Sequence, residues 1–127
     1  MPMTSKILVV DDEPEFCRLF ANVLVDLGYQ VSTATEGREG LAKIRDNPPD
    51  ILFLDIKMPH MDGLECLRRI RKIKRKFVVV VMTGHGDIQS AREAMRLGAD
   101  EYISKPFDLD DLKRLVNELA GELVGDV

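Results

Sequence analysis

The stretch KILVVDDEPEF, residues 6–16, decides the fold. Its apolar part, Ile7 to Val10, is short and rich in β-branched residues, the pattern of a strand buried on both faces. Asp11, Asp12 and Glu13 follow at once, and a helical spacing of apolar residues begins at Phe16. A buried strand leading into a helix is the first half of a βαβ unit, and such units build parallel sheets. The acids are the anomaly. Carboxylates crowded at the rim of an apolar core repel one another and resist desolvation, so something nearby should compensate them.

The same rhythm recurs along the chain. After the first strand, Phe16, Phe20, Val23, Leu24 and Leu27 fall at helical spacing, and Gly28 stops the helix. QVSTA (30–34) alternates, as suits a strand nearer a sheet edge. EGREGLAKIRD (36–46) is a helix with Leu41 and Ile44 inward, ended by Asn47-Pro48-Pro49. DILFL (50–54), FVVVVM (77–82) and EYIS (101–104) read as the remaining strands. The helices between them are expected to turn Leu64, Leu67 and Ile70, then Ile88, Ala91 and Met95, to the core. The last helix starts near Asp108, whose spacing to Asp111 predicts a capping box, and buries Leu112, Leu115, Val116 and Leu119. Five strands alternating with five helices predict an α/β fold: a single doubly wound domain with a five-stranded parallel sheet in the flavodoxin-like order 2-1-3-4-5.

Composition agrees. A chain of 127 residues with 45% hydrophobic content can bury one core without metal or disulfide staples. Residues 1–127 are therefore expected to be one domain, with no output domain after the last helix. Cys17 and Cys66 sit inside amphipathic patterns and read as ordinary buried thiols. No signal-peptide pattern opens the chain, and the longest apolar run, Phe77 to Met82, is too short to span a bilayer. A cytoplasmic, non-membrane protein is expected. The net charge of −4 argues against wholesale nucleic-acid binding. The run RRIRKIKRK (68–76), seven basic residues of nine, reads as a solvated helix face and its exit loop, because no reading element follows it.

In open α/β sheets, ligands bind outside the carboxyl ends of the strands. Here those ends carry Asp11 and Asp12, Asp55, Thr83, and Ser104 with Lys105. In the order 2-1-3-4-5 they converge on one rim. Three carboxylates need a cation, and a hard, oxygen-only site with few protein ligands suits Mg²⁺ with a phosphate partner. A lysine and a threonine hydroxyl are the groups to place around phosphoryl oxygens. One carboxylate could then attack phosphorus and become an acyl phosphate. No glycine-rich phosphate cradle follows the first strand, which disfavours flavin or dinucleotide binding.

The motifs VVDDEP (9–14), FLDIKMPHMDG (53–63), VVVMTGHGD (79–87) and YISKPF (102–107), in this order and at these separations, resemble the receiver domain of two-component response regulators over essentially the whole chain. The resemblance implies the same strand order and a set of roles. Asp55 matches the phosphoacceptor, modified from the phosphohistidine of a histidine kinase or phosphotransfer protein. Asp12 and Asp55 match direct Mg²⁺ ligands, Asp11 an acid acting through bound water, and the Lys57 backbone carbonyl a further ligand. Thr83 and Lys105 match the groups that bind the phosphoryl oxygens, and Tyr102 the aromatic whose movement follows theirs. Lys105-Pro106 matches a cis peptide, and Gly84 the small residue that leaves the acyl phosphate accessible. Phosphorylation is then expected to reshape the face made by the fourth helix, fifth strand and fifth helix. Mixed charge there (Arg92, Glu93, Arg96; Lys113, Arg114, Glu118) fits either solvent or a charge-paired homodimer face.

Plainer roles remain for other residues. Glu13 and Glu15 suit a helix N-terminus, Asp62 and Gly63 a turn and helix start, His85 a solvated loop, and Met58, Met61, Met82 and Met95 loop or core filling. A Mg²⁺-dependent phosphohydrolase with an aspartyl nucleophile is the alternative from another class. Such enzymes typically place a second acid two residues beyond the nucleophile, where this chain has Lys57. A non-phosphorylated binding module is the third reading, against which Asp12, Asp55, Thr83 and Lys105 all stand.

Overall fold

The strands pair side by side, all in parallel, and the apolar runs take the inner places that such a sheet buries on both faces. In the computed structural model, residues 5–57, 63–73, 77–84 and 86–125 are described, with side chains to 121. The elements in chain order are β1 (Lys6–Val10), α1 (Pro14–Asp26), β2 (Gln30–Ala34), α2 (Gly37–Asp46), β3 (Ile51–Asp55), α3 (Gly63–Ile70), β4 (Val78–Gly84), α4 (Ile88–Arg96), β5 (Glu101–Lys105) and α5 (Leu109–Gly125). The sheet order is β2-β1-β3-β4-β5, the doubly wound arrangement expected.

Strand alternation sorts the core into two layers. Leu8, Val10, Leu52, Leu54, Val79 and Val81 pack beneath α2, α3 and α4 through Leu41, Ile44, Leu67, Ile70 and Ala94. Ile7, Val9, Ile51, Phe53, Val80 and Met82 pack on the other face against α1 and α5 through Phe20, Leu24, Leu112 and Val116. Each of the large side chains contributes roughly 1.5–3 kcal/mol by leaving water. Cys17 and Cys66 are buried.

Helix signals act where the sequence puts them. Pro14 opens α1 at a position whose N–H has no helical partner, and Gly28 adopts φ +99 just past its end. Asp108 caps α5 by accepting a hydrogen bond from the Asp110 amide at 2.9 Å. The reciprocal half of the expected box is replaced by an ion pair, Asp111 to Arg114 at 3.5 Å.

Two expectations need correction. Strands β3, β4 and β5 run past their apolar residues to Asp55, Gly84 and Lys105, because the backbone ladder continues after the side chains turn polar: Thr83 still pairs with Ser104 and Gly84 with Lys105. The other concerns α4. Its sheet-facing edge is Ala91 and Ala94, while Ile88 and Met95 are exposed. Two alanines one turn apart let the helix lie close on the sheet, and that contact turns the bulkier pair outward. His60, His85, Met58, Met61, Asp62 and the basic residues 74–76 lie outside the described residues.

Candidate functional site

The strand alternation that builds the core also aims the polar ends. Asp11, Asp55 and Lys105 continue the α1/α5 side of β1, β3 and β5, whereas Thr83 and Tyr102 lie on the α4 side with Val81. Ligand oxygens of Asp11, Asp12 and Asp55 come within 4.8 Å of one another. Asp11 and Asp55 are buried, and Asp12 is half-buried.

Asp11 is the best-anchored acid. One carboxylate oxygen accepts from the Glu13 amide at 3.0 Å, and the other from the Lys105 ammonium. Asp55 Oδ1 accepts from the Lys57 amide at 3.0 Å, and its Oδ2 lies 3.7 Å from Lys105 Nζ. Burial pushes the Asp55 carboxyl up to about 6; the Lys57 amide pulls it down, and Asp11 and Asp12 push it up further against the opposing pull of Lys105. An acid this far above its ordinary range is one whose charge the site under-compensates. Burial also works to lower the Lys105 ammonium, but the Asp11 hydrogen bond and the surrounding carboxylates overcome it, and the net direction is up.

The donors fit a hard divalent cation. They are all carboxylate oxygens, and the Lys105 ammonium that reaches the cluster is already engaged by Asp11. Asp11 has both oxygens hydrogen-bonded, so Asp12 and Asp55 are better placed than Asp11 to ligate directly.

Thr83 is buried, and its hydroxyl donates to the Ile103 carbonyl at 3.4 Å, a long and weak bond that another acceptor can displace. Tyr102 is 45% exposed, so its ring stands outside the core. Lys105-Pro106 is cis, as expected. A Cβ added at Gly84 would meet no atom within 4 Å, leaving open space beside Thr83. Cys17 donates its thiol to the Asp11 carbonyl at 3.4 Å, and burial pushes the thiol up to about 11, which leaves it a packing group.

Three features were not legible in the sequence. The Lys105 ammonium lies over the Phe16 ring, 4.1 Å from its centroid. Gly63 donates to the Ile56 carbonyl at 3.1 Å, folding the start of α3 back onto the end of β3. Lys57, which the alternative enzyme reading would replace by an acid, sends its ammonium to Asp87 at 3.0 Å. Asp87 caps α4 by accepting from the Ser90 amide at 3.2 Å. Opposite charges in loops after neighbouring strands were the signal available for that last contact. It ties the loop after Asp55 to the N-terminus of α4.

Asp87 is held below its ordinary 3.8 chiefly by the Lys57 hydrogen bond and then by Ser90. Its contribution is therefore present above pH 3.8 and is lost as pH falls through the lowered value. Asp87→Ala should lower the melting temperature at pH 7 and leave it nearly unchanged at acid pH. Amide exchange localised to the first turn of α4 checks this, and an unprotected first turn in the unsubstituted protein would contradict it.

The family model described as the response regulator receiver domain matches residues 7–117. The regulatory protein AtoC of Escherichia coli is 37% identical over 91% of this chain, which spans only 25% of that protein. Sporulation initiation phosphotransferase F of Bacillus subtilis is 36% identical over 91% of this chain and 94% of its own length. Among solved structures, the receiver domain of NtrX from Brucella abortus superposes with a TM-score of 0.84 at 40% identity, covering 90% of this chain and 97% of that one. A CheY-like receiver protein from Methanospirillum hungatei superposes with a TM-score of 0.91 at 30% identity, covering 98% and 100%.

Proposed function

The chain belongs to the response regulator receiver domain family, and on that premise we propose that it accepts a phosphoryl group on Asp55, in a Mg²⁺-dependent reaction, from a histidine kinase or phosphotransfer protein. The observation that carries the assignment is the rim itself: Asp55 at the end of β3, with Asp11 and Asp12 within 4.8 Å and Lys105 at 3.7 Å. An ionised Asp55 oxygen attacks the phosphorus of the donor's phosphohistidine. The P–N bond breaks, its electron pair returns to the imidazole, and Asp55 becomes an acyl phosphate. Hydrolysis removes the phosphoryl group: water attacks phosphorus, the P–O bond to Asp55 breaks, and the carboxylate and inorganic phosphate are released. The domain thus catalyses only its own phosphorylation and dephosphorylation.

Asp12 and Asp55 would hold Mg²⁺ directly, Asp11 through water, and the Lys57 carbonyl would complete the protein's share. The ion supplies charge neutralisation at the phosphoryl oxygens. Lys105 supplies a second positive charge. Thr83, weakly bonded to Ile103, is free to exchange that carbonyl for a phosphoryl oxygen. Its departure from β5 opens space on the α4 side of the sheet, where Tyr102 now stands exposed. The Lys57–Asp87 pair gives the same event a direct line to α4. The α4-β5-α5 face then carries the signal to an output domain, a partner or a second copy.

The chain spans about a quarter of AtoC and nearly all of sporulation initiation phosphotransferase F, so either kind of output is compatible with it. Residues 1–127 read as one receiver domain. Among the described residues, no helix is long and apolar enough to cross a membrane. The buried Cys17 and Cys66, neither in a CxxC or Cys/His cluster, suit a reducing, cytoplasmic setting.

Intact-protein mass after incubation with acetyl phosphate tests the reading. One added phosphoryl group is expected with Mg²⁺, and none with EDTA. Absence of the adduct under both conditions would favour the binding-module reading, and continuous phosphate release without an adduct the phosphohydrolase.

A further inference from the structure

Lys105 reaches the rim on a flexible four-carbon stem that has considerable rotamer freedom to lose. Its ammonium has two destinations. One is the buried pair Asp11 and Asp55; the other is the solvent beside exposed Glu13, whose carboxylate is 3.8 Å away. The Asp11 hydrogen bond favours the buried side, and the freedom of the stem works against it.

Phe16 adds to that preference. Its ring centroid lies 4.1 Å from Lys105 Nζ, within the range where a cation is drawn to an aromatic face. The ring is itself fixed from two sides, 5.4 Å from the Phe20 ring and 5.9 Å, edge on, from the Phe107 ring. Phe20 is buried and anchored in turn on Phe53, at 4.9 Å. The aromatic platform under the ammonium is thus tied to the core.

We propose that Phe16 is a positioning residue for phosphoryl transfer at Asp55, its ring holding the Lys105 ammonium at the buried carboxylates of Asp11 and Asp55 rather than out in solvent. The proposal rests on the Asp55 reading and adds to it. Phe16 touches none of the reacting atoms; it acts through Lys105.

Acetyl phosphate is the donor for the test, because a small molecule needs no protein docking near Phe16. Phe16→Leu keeps an apolar side chain of similar volume but removes the aromatic face, and should slow labelling of Asp55 by about threefold to tenfold. Phe16→Tyr keeps the face and should label within about twofold of the unsubstituted protein. In a Lys105→Ala background, Phe16→Leu should change the residual rate no further. Proton NMR gives an independent readout: the Lys105 ε-methylene resonances should lie upfield in the unsubstituted and Phe16→Tyr proteins, and return to ordinary lysine positions in Phe16→Leu.

Undiminished labelling of Phe16→Leu would overturn the proposal. So would an equal slowing in the Lys105→Ala background, since the ring would then be acting through packing alone, or the lack of any upfield shift. An unsubstituted protein that takes no label at all would instead sink the Asp55 reading, and this proposal with it.

Discussion

Asp55→Asn is expected to abolish phosphoryl labelling and, in the absence of metal, to make the fold more stable at neutral pH. The two effects have one cause. The site holds a buried carboxylate that its own cations do not fully balance, which is what lifts Asp55 to about 6 from an ordinary 3.8. Below pH 3.8 the carboxyl is protonated in both folded and unfolded chains and costs nothing. Between the two values the unfolded chain ionises while the fold holds the proton, so stability falls as pH rises; above about 6 the cost is complete. It amounts to at most about 3 kcal/mol at pH 7. Asparagine keeps the oxygen that accepts from the Lys57 amide and removes the charge. Denaturant unfolding in EDTA should therefore show the Asp55→Asn protein more stable at pH 7, and level with the unsubstituted protein near pH 3.5. Millimolar Mg²⁺ should narrow the gap at pH 7, because a ligand that prefers the carboxylate stabilises only the protein that has it. Labelling that survives the substitution at full stoichiometry would mean another residue is the acceptor. A gap independent of pH would mean that burial of charge is not the source of the stability difference.

How much of this was visible in the sequence depended on whether a feature is local. The apolar runs at 7–10, 51–54 and 79–82 are unambiguous because both faces of each strand are buried, and the strand order was the leading arrangement for the βαβ rhythm, with the family resemblance implying the same order. The convergence of Asp11, Asp55, Thr83 and Lys105 followed from the same topology, since each residue ends a strand. What the sequence left open is set by tertiary contact. The strands overran their apolar residues because ladder hydrogen bonds take no account of side-chain polarity. The orientation of α4 was misread because Ile88, Ala91 and Met95 are more hydrophobic than Ala91 and Ala94, yet close approach to the sheet selects the smaller pair. Phe16 was legible as a core residue, and its half-buried position agrees. That the exposed remainder of its ring sits under an ammonium from β5 depends on how α1 and β5 pack, which no local pattern encodes.

Gly63→Ala should be the most destabilising single substitution of a glycine in the described chain. An added Cβ would lie 2.1 Å from the Ile56 Cα, 2.4 Å from the Asp55 carbonyl oxygen and 2.9 Å from the Ile56 carbonyl carbon. All three are backbone atoms, so no side-chain rotation relieves the contact. The start of α3 must separate from the end of β3, and the Gly63–Ile56 hydrogen bond, 3.1 Å long, goes with it. The expected loss is about 3 kcal/mol or more, roughly a 10 °C fall in melting temperature. The damage lands on the backbone that carries Asp55 and the Lys57 amide bonded to it, so labelling by acetyl phosphate should also fall in the fraction that remains folded. Gly40→Ala is the informative control. There the new Cβ meets the buried Val10 methyls at 2.8 and 3.3 Å, side-chain rather than backbone atoms that must shift, while the helix gains about 1 kcal/mol from losing a glycine. If both substitutions cost the same, glycine's role at 63 is general flexibility. If Gly63→Ala alone collapses stability and labelling together, the start of α3 is held on the end of β3 by contact between backbones, and only a residue without a side chain permits it.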